Sequence, residues 1–229
     1  MATSTGKRRP PKAWLLIREA LMIIFVAICI SALIKAFLIQ AFLVPSGSMR
    51  TTLIEGDRML VSKLVPDVRQ LNRGDVVVFK DSQNWLNNQK QTTPATLVKD
   101  VMIALGLMPD TSENHLVKRV IGMPGDRVQC CDAKGRLVVN GVSIDEPYLD
   151  SGVAPSQKPF DVKVPADHLW VMGDNRGNSA DSRAHMDEPG KGFVPVLDVT
   201  GRAFVIIWPK AHWATLSNST AFAAVPPPD

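Results

Sequence analysis

The sequence predicts a mostly β protein: an N-terminal transmembrane helix followed by an external antiparallel β domain that carries one insertion. Three observations carry this. Ala20 to Ile34 holds no charge, and apolar character resumes beyond Lys35 to Val44. Six short Val/Ile-rich segments then follow, with no amphipathic helix placed between successive pairs outside the insertion. Turn-forming pairs such as Gly56-Asp57, Gly125-Asp126 and Asn140-Gly141 separate them.

Residues 1–13 are polar and basic with a Pro pair that blocks helix, and they read as a disordered cytoplasmic arm. Residues 14–44 read as the membrane anchor. Ala20 to Ile39 is 20 residues, roughly 30 Å as a helix, which matches the hydrocarbon thickness. Lys35 lies in the last third of that stretch, where its side chain snorkels to the far interface. Two other readings compete: a cleavable secretion signal ending near Cys29-Ile30-Ser31, and a buried helix of a soluble protein. Apolar sequence running well past Ser31 favours the anchor.

The formal charge is +4, from 26 Lys plus Arg against 22 Asp plus Glu. Residues 1–44 hold six basic groups and one acidic, so 6 − 1 = +5, and the remaining 185 residues carry 20 − 21 = −1. The basic excess thus marks the cytoplasmic side. A domain with no surplus cations is not a nucleic-acid binder.

The external domain is predicted over residues 45–216, with strands at Arg58 to Val65, Asp75 to Phe79, His115 to Ile121, Arg136 to Val139, Leu169 to Met172 and Arg202 to Trp208. Asn140-Gly141 marks a hairpin. Residues 80–114 begin polar, pass through an amphipathic stretch at Ala95 to Leu107, and read as an insertion between two core strands. Residues 217–229 end in Pro226-Pro-Pro-Asp229 and read as a flexible tail. Cys29, Cys130 and Cys131 lack zinc-ligand spacing, and the four His are scattered with no carboxylate pattern beside any of them. The sequence suggests neither metal nor cofactor.

Chemistry concentrates in three places. Pro45-Ser46-Gly47-Ser48-Met49 is a tight turn directly after the anchor that can expose a hydroxyl beside backbone N–H groups, although on this motif alone a Ser-capped membrane-exit turn is the favoured account. A serine nucleophile needs a base. In His115 to Ile121, alternation places Leu116, Lys118 and Val120 on one face, so Lys118 is the single charge on an apolar stripe, while Arg119 on the other face reads as a solvated cation. Burial of Lys118 lowers its pKa; a fall to about 8 corresponds to roughly 3 kcal/mol. An edge strand with a solvated lysine is the competing reading. The third place, Gly173 to Arg183, is a polar loop that lacks calcium-loop or phosphate-loop spacing and is rich in acceptors able to hold an amine in line.

In order, SGSM at 46–49, KRVIGMPGD at 118–126 and GDNRGNSADSR at 173–183 resemble the bacterial type I signal peptidases, or leader peptidases, across most of residues 14–210. That resemblance implies Ser48 as nucleophile and Lys118 as general base. It implies Ser46 as a side-chain donor to the oxyanion beside the Ser48 N–H, and Ser179 as the residue that orients the lysine. Asp181 and Arg183 brace the loop through an ion pair, and Gly173, Asp174 and Asn175 form the turn beneath the site. Val44, Met49, Leu53, Leu116 and Val117 fall where the family lines pockets for small side chains. The resemblance further implies a smaller β cap, here about 123–170, and partners that are preprotein signal peptides, the lipid bilayer and the secretion translocon. Cleavage follows small residues at the first and third positions before the bond. Trp208 and Trp213 are expected to touch lipid, with at least one packed in the core.

Thr51 stands where the family pattern has Pro, and Gly177 where a polar residue is usual. Adjacent Cys130 and Cys131 do not match the spaced cysteines of some relatives, so no disulfide is expected to hold a long loop, and a strained vicinal one remains open. The rival function is a non-catalytic membrane-tethered β module, for binding or assembly, in which Ser48 is a cap and Lys118 a surface charge. A self-cleaving Ser/Lys regulator is a third reading, but no small-residue cleavage site or DNA-binding arm supports it.

Overall fold

The computed structural model describes residues 12–64, 71–86, 114–217 and 220–228. The predicted amphipathic stretch, the basic arm before Lys12 and most of the 80–114 insertion lie outside them. Helix α1 runs Lys12–Phe37. Its apolar residues from Leu16 to Ile30 are exposed, yet among the described residues no helix is long and apolar enough to cross a membrane.

The anchor predicted over 14–44 is also too long at its C-terminal end. Ile39–Leu43 is a strand, β1, antiparallel to β2 (Arg58–Ser62). Phe42 lies in a protein core with Met59 and Val61, so this part of the apolar run serves a sheet and not lipid.

The remaining strands are β3 (Val76–Lys80), β4 (His115–Gly122), β5 (Arg127–Cys130), β6 (Leu137–Val139), β7 (Val142–Ile144), β8 (Phe160–Lys163), β9 (His168–Met172), β10 (Val194–Pro195), β11 (Val199–Trp208) and β12 (Ala214–Thr215). They form two antiparallel sheets. The larger has the order β1-β2-β11-β3-β4-β9-β10, with β12 beside β11; the smaller is β7-β6-β5-β8. Mostly antiparallel β is therefore the observed class, and each of the six predicted strand regions contains a strand, although the first ends at Ser62 and Val65 lies outside the described residues. The β6–β7 hairpin turns through Asn140 and Gly141 at φ +48° and +80°, the left-handed pair that a two-residue turn requires. The cap-type region is narrower than 123–170, because β9 pairs with β4 in the larger sheet.

Two further expectations fail. Residues 217–229 are not a frayed tail in their described part: Phe222 and Val225 are buried against Val128, Trp170 and Phe193. Asp126, fully buried, receives Arg73 through Nε and Nη2, both at 2.6 Å, and Asn140 Nδ2 at 2.9 Å; both donors also reach the Pro226 carbonyl. The tail thus closes a seam between the two sheets. Trp208 and Trp213 are 53% and 62% exposed, so neither packs in the core. Trp213 instead lies along β11, its indole donating to the Ile207 carbonyl at 2.6 Å. Cys130 is joined to Cys131, and Cys29 is free.

The docked tail makes a measurable prediction. Phe222→Ala removes a side chain buried where the sheets meet and should cost about 3 kcal/mol, seen as a clear drop in melting temperature. An unchanged melting temperature would mean that the segment is peripheral.

Candidate active site

β4 lies between β3 and β9, and its two faces pack into different core clusters, Leu116 and Val120 in one and Val117 in another, so residues 116–122 are all buried. This explains a correction. Arg119, expected in solvent, is 4% exposed, against 2% for Lys118. Alternation in a strand separates faces correctly but does not say that one of them is wet.

The pairing of β9 with β4 begins at Arg119, opposite Met172, the last residue of β9. Continuing that register would set Gly173 opposite Lys118. The chain instead leaves the sheet there, and the turn carrying Ser48 comes in beside the loop. A 3-10 turn over Gly47–Met49 holds Ser48 in the first residues of a helical segment, where backbone N–H groups have no partner within the turn. Asn175 fastens this turn from two sides: its N–H donates to the Ser48 carbonyl at 3.0 Å and its Nδ2 to the Gly47 carbonyl at 2.9 Å.

Gly173 is required by this approach. A Cβ at that position would lie 2.5 Å from the Ser48 carbonyl oxygen and 2.2 Å from Ser179 Oγ. The backbone therefore comes as close to the Ser48 turn as a missing side chain permits.

Lys118 Nζ lies 2.6 Å from Ser48 Oγ, and Ser46 Oγ lies 3.5 Å from the same hydroxyl. Among the described residues no ion pair holds Lys118. The carboxylates that act on it are already occupied. Asp174 takes Arg119 Nε at 2.8 Å and Nη2 at 2.6 Å, and it also accepts from Thr52 Oγ1. Asp181 takes Arg183 Nε at 2.9 Å and Nη2 at 2.7 Å, with the Gly173 N–H at 2.9 Å.

Burial consequently dominates, and it lowers the Lys118 pKa from 10.5 to about 8; Asp181 and Asp174 oppose this and Arg183 adds to it. Asp181 shows the reverse balance. Burial raises its pKa, but Arg183 and the Gly173 N–H outweigh that and hold the carboxyl below its ordinary value. The site therefore pairs an ionised carboxylate with a lysine that loses its proton easily, as general-base chemistry requires.

The other expected residues divide. Ser179 Oγ is buried beside Gly173 and is among the groups that hold the Asp181 carboxyl down, and it makes no hydrogen bond to Lys118 in this structure. Val44, Met49, Leu53 and Val117 are buried in one cluster with Phe42 and Met59, whereas Leu116 belongs to another with Val77, Phe79 and Val171. Two histidines do have carboxylate partners despite the absence of any pattern in sequence: His185 with Glu188 and His212 with Asp57, both at 2.8 Å. Neither ring is bonded to Ser48.

The sequence reading missed Thr52, Glu146 and Tyr148, and it treated Arg176 only as loop composition. Arg119 lies 4.0 Å over the Tyr148 ring, and Arg176 makes a fully buried ion pair with Glu146. No local pattern marks Glu146-Pro147-Tyr148, since their partners are about 30 residues away.

A serine whose hydroxyl touches an unpaired buried lysine, beside free N–H donors, has the parts of a serine peptidase site. Comparison with known proteins agrees with that chemistry. The chain is 37% identical to a signal peptidase I of Mycobacterium tuberculosis (strain ATCC 25618 / H37Rv), covering 95% of this chain and 81% of the relative. It is 32% identical to a probable signal peptidase I-2 of Synechocystis sp. (strain ATCC 27184 / PCC 6803 / Kazusa), covering 97% and 87%. It is also 32% identical to signal peptidase I T of Bacillus subtilis (strain 168), covering 81% and 82%. The profile of the family described as signal peptidase, peptidase S26, matches residues 17–208. This chain belongs to the signal peptidase S26 family.

Proposed function

We propose that this protein is a membrane-anchored serine endopeptidase that removes N-terminal signal peptides from secreted preproteins. The observation that carries the reading is the 2.6 Å contact between Ser48 Oγ and a buried Lys118 amine whose neighbouring carboxylates are held by arginine. In the reactive state Lys118 is neutral and accepts the Ser48 proton as Oγ attacks the scissile carbonyl carbon. The tetrahedral oxyanion is stabilised by the Ser48 N–H and the Ser46 hydroxyl. The bond to the leaving amine then breaks, Lys118 returns its proton to that amine, and an acyl-enzyme remains. Water, activated by the same lysine, hydrolyses the ester.

The substrate backbone lies along β4 at Leu116 and Val117, beyond the point where β9 no longer pairs. Its small side chains, at the first and third positions before the bond, face Val44, Met49, Leu53 and Val117. The loop of Gly173, Asp174, Asn175, Asp181 and Arg183 holds this arrangement, and Ser179 is the residue available to orient the lysine during turnover.

Helix α1 supplies the anchor. It carries Leu16, Ile17, Leu21, Ile24, Phe25 and Ile28, all exposed, and apolar side chains in such a run are stable only when something other than water covers them. The +5 charge of residues 1–44 orients the N-terminus to the cytoplasm and the β domain outward, next to the translocon that delivers preproteins.

Three experiments test this reading. Ser48→Ala and Lys118→Met should each lower kcat/KM for preprotein cleavage by at least about 1,000-fold with little change in melting temperature. Retained cleavage in both would support a non-catalytic module. For the pH profile, the active form is the neutral amine, so activity rises with pH. With Lys118 at about 8, kcat/KM should climb roughly tenfold per pH unit below that value and level off above it. A flat profile between pH 6 and 9 would exclude Lys118 as the base. Deleting residues 1–37 should abolish flotation with lipid vesicles, and co-flotation of the truncated chain would place membrane binding elsewhere.

A further inference from the structure

We infer that Glu146 and Tyr148, carried on the connection between β7 and β8 of the smaller sheet, are positioning residues for the nucleophile: they clamp Arg119 and Arg176 and so fix the Gly173 loop against Ser48. This rests on the Ser48/Lys118 reading and adds to it a function for the second sheet.

The clamp begins at Glu146, two positions beyond the end of β7. Its carboxylate takes both terminal nitrogens of Arg176, and the two side chains are 3% and 1% exposed. The third guanidinium nitrogen, Nε, donates to the Gly173 carbonyl at 3.1 Å. Arg176 is therefore fully engaged between the smaller sheet's connection and the residue that abuts Ser48. Arg183 makes a second link of the same kind, with Nη1 on the Pro155 carbonyl at 2.9 Å and Nη2 on the Arg176 carbonyl at 3.0 Å.

Tyr148 joins this pair to the lysine strand. Its hydroxyl donates to Glu146 Oε1 at 2.6 Å, and its ring lies 4.0 Å beneath the guanidinium of Arg119, the residue next to Lys118. Burial and the adjoining Glu146 push the phenol well above its ordinary pKa, so it remains a donor.

The geometry makes Ser48 sensitive to this clamp. Gly173 already sits where even a methyl group would collide with the Ser48 carbonyl. A shift of a few tenths of an ångström in Gly173 is passed to Ser48, whose hydroxyl must stay within hydrogen-bond reach of Lys118 Nζ. Loss of the Glu146 charge frees Arg176 and leaves a buried cation without its counterion, so the Gly173 carbonyl loses a fixed donor. Extended substrate is not touched by Glu146 or Tyr148 in this scheme. The defect therefore belongs to the chemical step.

The test uses the full chain in detergent micelles, with Glu146→Gln, Tyr148→Phe and Ser48→Ala. Two rates are measured: preprotein cleavage, resolved into kcat and KM, and acylation of Ser48 by a small activated ester that makes no contact beyond the nucleophile. Glu146→Gln should lower kcat and the ester acylation rate by the same factor, about 10- to 100-fold, with KM within about twofold. Tyr148→Phe keeps the ring and removes only the bond to Glu146; it should show the same split at about threefold. If Glu146→Gln does not fold, Tyr148→Phe decides. Wild-type kcat in a folded Glu146→Gln, or a loss confined to KM, overturns the clamp. Inactive Ser48→Ala beside fully active clamp variants sinks the clamp alone, whereas active Ser48→Ala removes the nucleophile assignment beneath it.

Discussion

The arrangement depends on keeping one buried amine without a counterion. A lysine among carboxylates ordinarily forms an ion pair, and its pKa then rises above 10.4 and it ceases to be a base at neutral pH. Here Asp174 and Asp181 lie close enough to act on Lys118, and each is occupied by an arginine in a two-nitrogen grip. Arginine does this better than lysine because its planar fork matches both carboxylate oxygens and it does not lose its proton. Lys118 is left with a hydroxyl. Burial is then the dominant influence, and the fall to about 8 corresponds to roughly 3 kcal/mol of preference against the ammonium.

That constraint explains why the site lies at the end of β9. Inside the sheet, Lys118 would have a strand on each side and no approach for a nucleophile. Where β9 stops at Met172, the space opposite Lys118 is filled by a glycine and a turn, and the turn brings Ser48. The same central strand carries Arg119 to the other face, where it neutralises Asp174 and anchors on the Gly74 carbonyl at 2.7 Å. Adjacent residues of β4 thus supply the proposed base and remove one of its competitors. The smaller sheet adds the third buried arginine–carboxylate pair, Arg176 with Glu146, so the loop beneath the nucleophile carries balanced charge.

Much of this was legible in the residues, and the rest was hidden for definite reasons. Lys118 was visible because it breaks an apolar alternation, and the turn of Ser46 to Met49 because of its glycine. Arg119 was misplaced because alternation reports faces and not what covers them, and only the strand order puts β4 in the middle. β1 was merged with the anchor because an apolar strand directly after an apolar helix presents no boundary; its pairing with β2 separates them. Glu146 and Tyr148 carry no local signal, since a buried charge is recognisable only once its partner is beside it. Phe222 and Val225 are hidden in sequence by the Pro-rich stretch that follows them, although the Pro226 carbonyl contacts arise from the same segment.

The connection between anchor and site restricts what the enzyme can reach. Helix α1 ends at Phe37 and β1 begins at Ile39, so no flexible linker separates them. Strand β1 has five residues, about 17 Å when extended, and Ser48 follows its end by five positions. With α1 seated in a bilayer as proposed, the nucleophile is held within a few tens of ångströms of the membrane surface and cannot swing away from it. A substrate cut just beyond its own apolar segment presents its bond in that same layer, so the two meet at a high effective concentration without any tight binding of the segment itself. A long linker would dilute that advantage. In the proposed arrangement recognition rests on a few small side chains beside Ser48, because the membrane would already supply proximity.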